Sequence, residues 1–373
     1  MFLKQRKHRL QNASIRSIIF MYFTITALAA SVFIGVSLYG RLSGQMSSAL
    51  QEENRILINQ LGRTMDSYLR LVMKLSDSLY YGVIKNADLS DGSINGEITL
   101  LYDNNKDNVE NIALFSKEGE LLESVPAARL KNNAQVADQD WFTAALEKTE
   151  NLHFSMPHVQ NLFQDGTYRY HRVISLSRSV DINDGDRPGS GVLLVDMKYS
   201  VVENVLKQIN ESSDGVYYYV CNRDGELLYH PRRAEIDREL FKENSLKAAG
   251  YEDGVYEISS GDGKENVIVG SISYTGWKLI GVIPESVQTA NINNFRYYIF
   301  TTIIILMMLL LEGNRLISQK VSKPIRELDA SVKAYEAGEK PDIYIGGSLE
   351  VRHLGHSVQK SYEQIEQLME EIM

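Results

Sequence analysis

The sequence predicts an α+β protein: two successive antiparallel sheet modules set between two membrane-crossing helices, with an α-helical coiled coil after the second. Three observations predict it. Two long apolar runs, Ser17 to Tyr39 and Tyr297 to Leu311, bracket a large polar segment, and the second extends to Ile317. One hairpin sequence occurs twice, at Ser116 to Leu122 (SKEGELL) and Asn222 to Leu228 (NRDGELL). Such self-similarity marks a duplicated structural unit. After the second run, apolar residues recur at heptad spacing on both sides of a connector containing glycine and proline.

The apolar runs come first in the argument. A hydrocarbon core about 30 Å thick needs roughly 20 apolar residues in a helix. The first run meets this outright. The second has an apolar centre followed by Glu312, Gly313, Asn314 and Arg315, which suit an interface. Lys4, Arg6, Lys7, Arg9 and Arg16 precede the first run, and Arg315, Lys320, Lys323 and Arg326 follow the second. Positive flanks on both outer ends predict a multi-pass protein of the plasma membrane with cytoplasmic termini. Ala27-Leu28-Ala29 also resembles a signal-peptide cleavage site, but the apolar run continues past it, which favours an anchor. The formal net charge of −9 argues against nucleic-acid binding. Cys221 is the lone cysteine, so no intrachain disulfide forms, and it reads as a small buried residue.

Between the runs the elements follow in order. Leu42, Met46, Leu50, Leu57, Leu61, Met65, Tyr68, Val72, Leu75 and Leu79 step by threes and fours, with one step skipped after Leu50, predicting one helix to about Ile84. Asn86 to Gly96 and Asp103 to Asp107 read as loop. Val109 to Phe115 is a strand, Ser116 to Glu120 a turn with Gly119 at the left-handed position, and Leu121 starts the return strand. Asp140 to Leu146 is a short helix, Tyr168 to Ser177 a strand, and Gly191 to Asp196 a buried strand ending on an acid. A helix carrying Val201, Val205, Leu206 and Ile209 closes the first module. The second has strands at Val216 to Cys221, Leu227 to His230, Val255 to Ile258, Asn266 to Ser273 and Trp277 to Ile283, with a helical stretch from Ala234 to Ala249.

No nucleotide loop, zinc spacing or activated nucleophile appears, and no cofactor is expected. His353 and His356 lie inside a heptad pattern and read as surface or interface residues. Binding is the better reading. Trp141, Phe142, His158, Phe163, Tyr168, Tyr170, Arg172 and Asp196 make a candidate pocket, with Tyr168, Tyr170 and Arg172 on one strand face. Aromatic walls with a few polar anchors suit a sugar or an amine. The plainer alternative is that Trp141, Phe142 and Phe163 fill the core.

The long helix, the paired hairpin modules, Asp140-Trp141-Phe142 and the segment Tyr274 to Pro284 resemble the double Cache sensor domain, a tandem of PAS-like sheets, over roughly residues 42 to 292. The resemblance implies an extracellular sensor at 40–294, with a ligand-holding distal module at about 85–205 and a proximal one at about 210–285. It also implies a ligand-binding role for Asp196. The amino-acid-binding subgroup has arginine two residues before the tryptophan, where this chain has Gln139. Residues 318–373, with Pro324 opening one helix and Glu350 the next, resemble a HAMP domain, implying a homodimer and a role for both residues in signal transmission. With a basic N-terminus at 1–16 and spans at 17–39 and 295–317, the whole resembles the receptor half of a bacterial sensor histidine kinase partnered with an AraC-type regulator. Segments typical of that group are Ser155 to Phe163 and Tyr168 to Tyr170. That implies a downstream kinase module and response regulator, and the sequence ends before any such catalytic domain. The alternatives are a chemotaxis-type receptor sharing the same front end, or a stand-alone binding receptor.

Overall fold

The computed structural model describes residues 15–85, 87–89, 94–147, 152–164, 171–184, 187–260, 263–339 and 342–372. Contacts divide the chain into two compact units, Ser47–Ala290, and Met1–Met46 with Asn291–Met373.

The first unit hangs on helix α1 (Ile15–Asp77), which continues as a π-helical stretch, Ser78–Ile84. Next come α2 (Ile94–Asp103), β1 (Val109–Ser116), β2 (Leu121–Val125), α3 (Asp140–Glu147), β3 (His153–Phe154), β4 (His158–Val159), β5 (Arg172–Asp184), β6 (Arg187–Lys198) and α4 (Tyr199–Ser212). The remainder is β7 (Tyr217–Cys221), β8 (Leu227–Tyr229), α5 (Arg233–Asp237), α6 (Ser245–Ala249), β9 (Gly254–Ser260), β10 (Gly263–Ser271) and β11 (Lys278–Pro284). One sheet has the order β2-β1-β6-β5-β3 with β4 also on β5, and the other β8-β7-β11-β10-β9. All pairs are antiparallel. The duplicated hairpin occupies the same edge in both sheets. Gly119 and Gly225 take φ of +87° and +78° there, as the turns require.

Strand alternation divides the core. Ile112, Leu114, Leu193 and Val195 of the first sheet, and Tyr218, Val220, Leu279 and Ile283 of the second, join one apolar cluster with Ile58, Leu61, Met65, Leu69 and Val72 of α1. Both sheets therefore back onto one helix. The opposite faces build separate cores. Ala113, Phe115, Val192 and Leu194 pack with Trp141 and Phe142. Tyr217, Tyr219 and Cys221 pack with Ile280 and Val282.

Helices α7 (Glu285–Glu336) and α8 (Leu349–Ile372) complete the chain. Among the described residues two helices are long and apolar enough to cross a membrane, within Ser17–Ile84 and Phe295–Glu336. In the second unit Asn314 Nδ2 donates to the Phe20 carbonyl at 2.9 Å and to Thr24 Oγ1 at 3.0 Å. Ser31 and Gly35 are buried on the same helix face, and a side chain at Gly35 would strike Ile303. Small residues at such a seam let helices approach closely. The rings of Tyr335 and Tyr362 meet at 4.0 Å between centres, tilted by 32°, between α7 and α8.

Three expectations need correcting. Ile94–Asp103 is a helix where only flanking loops were read. The stretch from Ala234 to Ala249 is two short helices, interrupted around Glu239, whose φ of 59° no helix tolerates. Pro324 lies inside α7 and does not open a new helix. Proline removes one helical hydrogen bond, yet the chain stays helical through it, and Gly347, at φ +90°, makes room beside the proline ring.

Candidate ligand-binding site

β1, β6 and β5 lie side by side, so Asn111 stands opposite Asp196 and Asp196 opposite Ser175. Alternation puts these polar side chains on the face that carries Phe115 and Leu194. Asp196 is completely buried. Asn111 Nδ2 donates to its Oδ2 at 2.9 Å, Gln160 Nε2 donates to the same oxygen, and Ser175 Oγ donates to Oδ1. Burial pushes the Asp196 carboxyl above its ordinary pKa; the bonds from Ser175 and Gln160, the charge of His158 and the bond from Asn111 pull against it.

His158 continues this network. Its Nδ1 lies 3.1 Å from the Met156 carbonyl and its Nε2 3.4 Å from Ser175 Oγ. A carbonyl only accepts, so Nδ1 carries the proton and Nε2 faces Ser175. Ser175 Oγ thus lies between the His158 imidazole and the Asp196 carboxyl.

His158 and Gln160 also line a cavity of about 860 Å³, with Trp141 from α3, Gln139 just before that helix, and Lys131 and Asn161 on its wall. Asp196 is not part of that lining; it lies behind Gln160 and His158 as they hold it. Trp141 Nε1 and Asn111 Oδ1 are both buried with no partner among the described residues. One is a donor and the other an acceptor, and buried polar groups of this kind normally take a partner from water or a ligand. The aromatic side of the site is fixed by packing. Phe115 stands 5.6 Å from Trp141 and 6.5 Å from both Phe142 and Phe163, ring centre to ring centre. Ser177 Oγ donates to the Trp141 carbonyl at 2.7 Å, which ties α3 to β5.

The predicted residues divide accordingly. Trp141 and His158 line the cavity, and Asp196 is the hub beneath it. Phe142 is core, 2% exposed, and Phe163 packs against the same cluster. Arg172 turns its guanidinium over the Tyr199 ring at 4.5 Å. Tyr168 and Tyr170 lie outside the described residues. Sequence reasoning missed Asn111, Gln160 and Ser175. Asn111 left a signal, since it is the polar exception at a core-facing position of an apolar strand. At the other end of the chain, Glu350 sits in the first turn of α8, where its own backbone N–H and Ser348 hold its carboxyl below the ordinary range. Among the described residues no cluster of His, Cys, Asp or Glu is placed to hold a metal ion.

Comparison with known proteins adds the following. The family model of the Cache domain matches residues 42–292. A probable methyl-accepting chemotaxis protein of Bacillus thuringiensis subsp. konkukian (strain 97-27) is 20% identical over 366 residues, 94% of this chain and 51% of its own. The chain thus spans about half the length of that curated relative. Among solved structures, the ligand-binding domain of the Pseudomonas aeruginosa PAO1 amino acid chemoreceptor PctC in complex with GABA is 16% identical. It covers 61% of this chain and 96% of its own, with a TM-score of 0.46. The ligand-binding domain of Mlp24 with asparagine is 17% identical, covers 67% and 98% respectively, and has a TM-score of 0.49.

Proposed function

The chain belongs to the Cache-domain family, and on that premise we propose that it is a chemotaxis-type receptor of the plasma membrane whose first sheet module captures a small polar ligand, a sugar or an amine. The observation that carries this reading is the cavity lined by Trp141, His158 and Gln160 over the buried Asp196 carboxyl, to which Gln160 donates. In this reading residues 17–39 and 295–317 are the membrane spans, both termini are cytoplasmic, and the sheets form a tandem double Cache unit outside. Residues 318–373 act as a HAMP domain in a homodimer, with Pro324 within its first helix and Glu350 in the first turn of its second. Ligand changes the balance between two packings of that domain only by its differential affinity for them.

A histidine-kinase output would use the same receptor half. The relative that aligns over 94% of the chain is a chemotaxis-type protein, which favours the chemotaxis output. Joining this chain to a chemoreceptor signalling hairpin, and measuring ligand-controlled kinase activity in the hybrid, tests that choice. Joining it to a histidine-kinase catalytic core gives the opposing hybrid.

Ligand capture is tested by thermal unfolding of the full chain in detergent against sugars, polyols, amines and amino acids. A ligand at a hundred times its Kd stabilises by about 2.7 kcal/mol. The shift should vanish in Asp196→Asn. A shift that survives this substitution would move the site elsewhere, and no shift across the panel would reject small-molecule capture.

A further inference from the structure

The cavity is not built by the first sheet alone. Glu226, in the β7–β8 turn of the second sheet, lines it. That turn is firmly made. Asn222 Oδ1 accepts from the backbone N–H of Asp224 at 3.0 Å and of Glu226 at 2.8 Å. Ser245 Oγ donates to the Gly225 carbonyl at 2.6 Å, and Leu246 closes over Gly225 so tightly that a side chain there would strike its backbone. The Glu226 carboxylate is exposed, and Asn222 Nδ2 reaches only its Oε2, at 3.2 Å. Among the described residues the cavity wall then carries two carboxylates, Asp140 and Glu226, against one ammonium, Lys131, which is itself bound to Asn161 at 2.5 Å.

We propose that Glu226 is a ligand-contacting residue supplied by the second sheet, and that it selects for a cationic, ammonium-bearing group at the cavity mouth. This rests on the cavity being the ligand site. It narrows the ligand class from sugar or amine to amine. It also gives occupancy a direct mechanical address. β7 pairs with β11 along Tyr217 to Cys221, and β11 runs straight into α7. A ligand held by Glu226 pulls on the sheet that feeds the second apolar helix, without first having to deform the first sheet.

The test uses the field of Glu226 and needs no identified ligand. In full-length protein carrying Gln135→Cys, a cavity-lining position, the thiol is reacted with a cationic trimethylammonium-ethyl and an anionic sulfonato-ethyl methanethiosulfonate. The ratio of cationic to anionic rates should fall about threefold on adding Glu226→Gln at low salt, as expected for one charge within about 10 Å. Glu226→Lys should push the ratio further the same way. Glu252→Gln, an exposed carboxylate of the same sheet module that does not line the cavity, should leave it unchanged. A ratio indifferent to both Glu226 substitutions, or equally moved by Glu252→Gln, overturns the proposal. Because no ligand takes part, this outcome is separate from the ligand-capture test with Asp196→Asn.

Discussion

Asn54, in the middle of the long helix, accepts the phenolic hydrogen of Tyr218 from the second sheet, and both groups are buried. Fourteen residues further along the same helix, Tyr68 donates to the Asn108 carbonyl at 2.8 Å, next to the first strand of the first sheet. One helix therefore holds a polar fastening to each sheet, within an apolar seam that both sheets share.

Tyr218→Phe should cost about 1–3 kcal/mol, because it leaves Asn54 Oδ1 buried without a donor. Asn54→Leu combined with Tyr218→Phe should recover part of that loss. Thermal melts of the two single variants and the double variant give the coupling. Additive losses would mean that the two groups do not interact.

Asp196 predicts a pH dependence of stability. Its carboxyl pKa is raised in the folded protein, with burial as the main cause. The folded state then binds more protons than the unfolded state between the unfolded value, about 3.9, and the raised folded value. Stability must fall as pH rises through that window, and the destabilisation is complete above the folded value. Asp196→Asn should flatten this part of the profile by one proton's worth of slope. An unchanged slope would place the effect in another group.

Cys221 should be inert in the native protein. It is fully buried, and burial pushes its thiol pKa up to about 12. A disulfide reagent at pH 8 should leave it unmodified until denaturant is added, since only the thiolate attacks. Rapid native labelling would contradict this packing.

Gly35→Leu should disturb the pairing of the two apolar helices. Any side chain there meets Ile303, and the Asn314 bonds to Phe20 and Thr24 depend on the same close approach. Cysteines placed at Thr24 and Asn314 in a chain without Cys221 should cross-link readily, and several-fold more slowly once Gly35→Leu is added. Equal rates would show that this glycine does not set the approach.

The larger architecture was legible because it rests on long signals. The apolar runs, the stepped helix and the duplicated hairpin each extend over many residues, and each reappears in the fold. The site was legible only in part. Trp141 and Asp196 announce themselves, one as a large aromatic and the other as an acid ending an apolar strand. Asn111, Ser175 and Gln160 come from three distant segments that only the sheet brings together, and each alone looks ordinary. β3 and β4 are two residues each, too short to show alternation. Helix α2 hides behind Asn95 and Gly96 and buries only Ile94 and Ile98. Pro324 misled because its usual meaning is local, while here the helix is sustained from both sides.

The π-helical stretch at Ser78–Ile84 has a consequence for how this gene can change. Each residue added to or lost from an α-helix turns everything beyond it by about 100°. Through most of α1 that would swing the seam facing both sheets out of phase. A π segment already stores a surplus residue in its wider turn. Between Ser78 and Ile84 the helix can therefore give up one codon, relax to α-geometry, and still present Leu79, Val83 and Ile84 or their neighbours to the same core. A single-residue deletion in this stretch would be absorbed locally.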